Sequence, residues 1–72
     1  MRNEFTALIE QDGAWFVASC PEVPEANGQG RTAAEAKADL AQAITLVLED
    51  RRVDALRDAQ VGTVREIVQL GE

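Results

Sequence analysis

Midway along the chain, Thr32 is followed three residues later by Glu35, and apolar side chains then recur at Ala36, Leu40, Ala43, Ile44, Val47 and Leu48. Threonine is a good helix N-cap, and a glutamate at the third helical position completes a capping box. Steps of three and four put the apolar positions on one stripe. Lys37, Asp39, Gln42 and Glu49 fall off it, and Arg51 and Arg52 follow where cations suit the negative end of the helix dipole. The pattern predicts one helix over residues 33–51, about 28 Å long at 1.5 Å per residue. Such a helix needs a surface on which to bury its stripe.

The preceding residues supply that surface as strands. In residues 4–10, Phe5, Ala7 and Ile9 alternate with Thr6, Leu8 and Glu10, the two-residue period of a strand. Gln11-Asp12-Gly13 supplies turn chemistry, since Gly13 tolerates a positive φ. Residues 14–20 form a second strand, antiparallel to the first, with Trp15 and Val17 on one face and Phe16, Ala18 and Cys20 on the other. Apolar residues on both faces imply that both are covered. The helix is one cover; a second subunit or a partner is the other. Pro21 ends this strand, because proline cannot donate to a ladder. Residues 22–25, Glu-Val-Pro-Glu, read as a stiff polar corner. Residues 26–30 hold two glycines and allow only a short, weak third strand.

Beyond the helix, residues 53–62 suggest one further helical turn with Leu56 packed inward, ended by Gly62. Val64, Ile67, Val68 and Leu70 then mark a strand over residues 64–70. The element order is β-β-β-α-β and the fold class α+β. Three strands form an antiparallel meander. The helix is a crossover to a fourth strand, parallel to the first by a right-handed connection. The expected spatial order is 3-2-1-4, with the helix on one face, in a single domain over residues 1–72.

Seventy-two residues bury a thin core, and small domains commonly add disulfides, a metal or oligomerisation. Cys20 is the only cysteine and there is no histidine, so an intrachain disulfide is excluded and the usual nitrogen ligand for zinc is missing. No cofactor is expected, and a homodimer is. A lone thiol, an N-terminus without an apolar leader and no run of membrane-spanning length fit a soluble protein of a reducing cytoplasm. Thirteen acids against seven bases leave a net charge of −6. Such a surface repels nucleic acid and suits a basic partner.

The order of these pieces resembles the HicB family, the antitoxin half of HicA–HicB pairs. The matching text is Phe5-Thr-Ala-Leu-Ile-Glu10, then Ala14-Trp-Phe-Val-Ala-Ser-Cys-Pro21, then Glu22-Val-Pro-Glu25. Gly30, Thr32-Ala-Ala-Glu-Ala36 and Ala43-Ile-Thr-Leu-Val-Leu-Glu49 complete it. It spans about residues 5–50. The resemblance implies a partial RNase H-like fold, sequestration of a small RNA-cleaving toxin, and homodimers. Many family members append a DNA-binding segment. None follows the last strand here, so direct DNA binding is not expected.

An RNase H-like scaffold raises the question of catalysis. Two-metal phosphoryl transfer needs several carboxylates converging from strand centres. The first strand has Glu10 only at its end, the second has no acid, and Asp39 and Glu49 lie off the helix stripe. Without histidine or a serine–base pattern, nucleophilic catalysis has no support either. The expectation is a binding protein, not an enzyme. Trp15 is either a packing residue or a contact anchor, the residue type enriched at interface hot spots. Cys20 reads as a small buried hydrophobe. Glu22 and Glu25 are either solvated or imitate phosphates before a toxin's basic face. The alternative function is a self-associating module with no toxin. A small-molecule sensor or enzyme has little room for a pocket.

Overall fold

A computed structural model describes residues 4–70. Residues 1–3, on which part of the expectation about the N-terminus falls, and residues 71–72 lie outside the described residues. The fold is α+β: a three-stranded antiparallel sheet and one helix. The elements are β1 (Leu8–Asp12), β2 (Trp15–Ser19), β3 (Asn27–Gly30) and α1 (Ala33–Arg57), with strand order β1-β2-β3.

The hairpin forms where turn chemistry placed it, with a different extent. Asp12 pairs with Trp15, leaving a two-residue loop, Gly13-Ala14. Gly13 has φ +62° and Ala14 has none of the positive values seen only at glycines, the pattern of a II′ turn. β1 starts at Leu8, four residues later than the expected strand over 4–10, and includes Asp12. The register explains the late start. Leu8 faces Ser19, so Thr6 would face Pro21, which has no N–H to give. The Thr6 N–H donates instead to the Glu22 carboxylate.

The corner after β2 is also less polar than its sequence suggested. Val23 N–H donates to the Cys20 carbonyl and Ala26 N–H to the Val23 carbonyl, two successive tight turns. They carry Val23 and Ala26 into the core beside Ala18, Cys20, Ala36, Leu40 and Ile44. No polar or charged residue is buried among the described residues.

The helix begins with the Thr32 half of the capping box, while the Glu35 side chain reaches one residue further back than the N-cap. The Thr32 hydroxyl accepts from the Glu35 N–H, and the Glu35 carboxylate accepts from the Arg31 N–H. It buries Ala36, Leu40 and Ile44. It lies over β3, where Gly28 and Gly30 let its backbone settle; a Cβ on Gly30 would stand 2.4 Å from the Glu35 Cβ. The glycines expected only to weaken a strand are the seat of the helix. The β3 edge is occupied as well, since the Gln29 N–H donates to the Asp39 carboxylate at 3.0 Å. Among the described residues, no strand pairs with the other edge, β1.

The structure corrects the expected end of the helix and the expected packing of Leu56. The helix does not stop near Arg51 and restart; it runs unbroken to Arg57. Leu56 is exposed rather than packed inward, because this part of the helix has passed the sheet. The expected fourth strand over residues 64–70 is not shown: the sheet of the described residues has three strands. A strand exists only by pairing, and no strand of this sheet takes the position beside β1. No helix of the described residues is long and apolar enough to cross a membrane.

Candidate interaction surfaces

Sheet alternation assigns the faces. Ala18 is buried under the helix, so Phe16 and Cys20 share its side. Trp15, Val17 and Ser19 point the other way, with Asp12, Glu10 and Leu8 directly opposite them on β1. This outer face carries no helix. The two-faced pattern of β2 is thus half explained by the fold, and its second apolar face stands open.

Trp15 lies at the hairpin end of this face and is 42% exposed. Its ring is partly covered by the Arg31 guanidinium, 4.5 Å from the ring centroid. A cation over the indole face is attracted by the ring quadrupole. Arg31 directly follows β3, so the stack joins the hairpin to the strand–helix junction. Glu10 and Asp12 stand exposed on the same face.

Glu22 and Glu25 lie at the opposite end of β2, so the three residues singled out from the sequence do not form one site. Glu22 is engaged within the chain. The Thr6 hydroxyl donates to one carboxylate oxygen at 2.7 Å, and the Thr6 N–H donates to the other at 2.9 Å. The Cys20 thiol also donates, at 3.2 Å. The Thr6 hydroxyl above all, then its N–H and the thiol, hold the Glu22 carboxyl down to about 2 from 4.5. Glu25 pairs with Arg51 of the helix, whose hydrogen bond holds that carboxyl below its ordinary value. Both glutamates stay ionised near neutrality. Cys20 is buried, as its residue type suggested.

On the helix side, sequence reasoning missed a feature. Phe5, Thr6 and Ala7 face Leu40, Ile44 and Leu48 across an open groove of about 520 Å³, with Lys37 and Glu49 on its rim. It arises because α1 is displaced toward β3, leaving the strip beside β1 uncovered. The alternation of Phe5, Ala7 and Ile9 was the available signal. The displacement was not readable, since it depends on the Gly28 contact. Among the described residues, no three of Cys, Asp and Glu converge as a metal site requires.

The chain is 49% identical over 70 residues to the UPF0150 protein ssl0738 of Synechocystis sp., an alignment covering 94% of this chain and 96% of the relative. No protein-family model matches it, and no solved structure does.

Proposed function

The chain belongs to the UPF0150 family, and on that premise we propose that it is a HicB-like antitoxin, which binds and neutralises a small basic HicA-type ribonuclease by protein–protein contact. The observation that carries this reading is the placement of charge. Residues 1–50 hold nine acids against three bases, a net −6. On the outer face of the sheet Trp15 stands exposed beside Glu10 and Asp12, with Arg31 over its ring. A ribonuclease binds RNA phosphates through a cationic surface, and carboxylates around an aromatic anchor are complementary to it. Glu22 and Glu25 add ionised carboxylates at the far end of the sheet. Trp15 is the proposed anchor, and the two glutamates belong to the electrostatic rim.

Residues 64–70 are the fourth strand of a partial RNase H-like sheet, parallel to β1 in the order 3-2-1-4. The protein acts in the cytoplasm, needs no cofactor, catalyses nothing, and binds neither DNA nor membrane directly.

The test is co-purification with the product of a neighbouring small basic reading frame, scored together with rescue of that product's growth arrest. Binding and rescue, both weakened by Trp15→Ala, are the expected result. No binding and no rescue would leave the second reading, a self-associating module without a toxin. The uncovered groove and exposed apolar tail are the observations that favour it.

A further inference from the structure

The C-terminal third does not fit the rest of one molecule. Glu49 is the last helix residue lining the groove, yet α1 continues for eight more residues, about 12 Å, to Arg57. This projection exposes Val53 and Leu56. After a turn in which the Thr63 N–H donates to the Gln60 carbonyl, the chain presents Val64, Ile67 and Val68, which are 76%, 85% and 79% exposed. Isolated exposed hydrophobics are ordinary, but a contiguous apolar arm is not.

Two global measures agree. The Cα radius of gyration is 15.8 Å, against about 11 Å for a compact chain of this length. The exposed surface is 6061 Å², against about 4,400 Å² for a compact monomer of this mass. The difference, about 1,700 Å² per chain, exceeds the roughly 800 Å² that each partner contributes to a standard stable interface.

The groove offers what the arm lacks. β1 is an unpaired edge, and the strip from Lys37 to Glu49 beside it is about 18 Å long on a helix. Residues 64–70 as a strand span about 20 Å. Charge agrees too. Residues 51–70 hold four arginines against three acids, a net +1, while residues 1–50 carry −6.

We propose that residues 64–70 complete the sheet of a second copy of this chain: each arm crosses to its partner, pairs along the partner's β1 edge and covers the partner's Phe5–Leu40–Ile44–Leu48 groove. The projecting helix is what selects the partner's groove over the chain's own. A return to its own groove would bring the tail back and leave Val53 and Leu56 in water. In a two-fold exchange, the projecting turns of the two helices meet and cover these residues. The contact is isologous and closed, so it stops at a dimer. This inference rests on the fourth-strand reading and is independent of the antitoxin reading.

Single-cysteine additions test it. Glu10→Cys lies on the outer face of β1, Gln69→Cys lies in the proposed strand that would run beside it, and native Cys20 is buried. The two variants, mixed and refolded together, are expected to form a disulfide-linked dimer on mild oxidation that neither forms alone. Light scattering of the unmodified chain is expected to give twice the monomer mass, and Ile67→Glu/Val68→Glu to reduce it to once. Trp15 fluorescence would verify that this variant is folded. A disulfide within one chain in the Glu10→Cys/Gln69→Cys double variant, without mixed dimers, would keep the fourth strand but overturn the exchange. No cross-link in either format would overturn the strand itself. A monomeric chain, or a dimer that survives both glutamates, would also overturn the proposal.

Discussion

Gly28 and Leu40 approach so closely that a Cβ placed on Gly28 would stand 2.4 Å from the Leu40 backbone nitrogen. The Ala36 carbonyl oxygen would lie 2.6 Å away. Both obstacles are backbone, so no rotamer change relieves the clash. This contact sets the helix over β3 and so creates the open strip beside β1.

Gly28→Ala is therefore expected to destabilise the fold by about 1–3 kcal/mol, the range for overpacking a close-packed site. Urea denaturation followed by Trp15 fluorescence would show a lower midpoint at an unchanged slope. An unchanged midpoint would mean that the helix is not seated as described.

Glu22 makes stability depend on pH. Its carboxyl titrates at about 2 in the folded chain against 4.5 ordinarily. A depressed folded value stabilises the fold above 4.5, and that contribution is lost as pH falls from 4.5 toward 2. Wild type should exceed Glu22→Gln in stability at neutral pH, and the gap should close across that window. Thr6→Val, which removes the first donor, should raise the Glu22 titration midpoint, read from its carboxyl carbon by NMR. A midpoint still near 2 would refute the role of the Thr6 hydroxyl.

Arg31 over Trp15 gives an optical readout, because Trp15 is the only tryptophan and the chain has no tyrosine. Arg31→Ala should increase acrylamide quenching of its emission and cost about 0.5–1 kcal/mol, the scale of an exposed cation–π pair. Quenching equal to wild type would show that the ring is shielded otherwise.

Thr32 caps the helix by accepting the Glu35 N–H at 3.1 Å. Thr32→Ala should cost about 1 kcal/mol, and Thr32→Ser or Thr32→Asp should restore most of it. Thermal unfolding by circular dichroism would detect the change. Equal stabilities for all four chains would show that the cap contributes nothing.

What was legible in the sequence was local. A turn glycine between two alternating runs specifies a hairpin, and Thr32 with Glu35 marks a helix start to the residue. These signals act between residues at most four positions apart, so no distant partner is needed to read them. The strand ends were less legible. β1 begins where Thr6 meets Pro21 and Glu22, fifteen and sixteen positions away, and that depends on register. The candidate site was legible only as types of residue. Trp15 is exposed beside carboxylates, but Glu22 and Glu25 lie at the other end of β2, already bound to Thr6 and Arg51.

The sequence by itself determined a hairpin, a third short strand, a capped amphipathic helix and an excess of acid, because propensity, periodicity and charge are properties of short segments. Only the tertiary structure decided that the helix sits over Gly28 and projects past the sheet, and that β1 keeps a free edge beside a groove. Those outcomes follow from how closely two backbones can approach and which side chains fill the remaining volume, neither of which is set until distant segments meet.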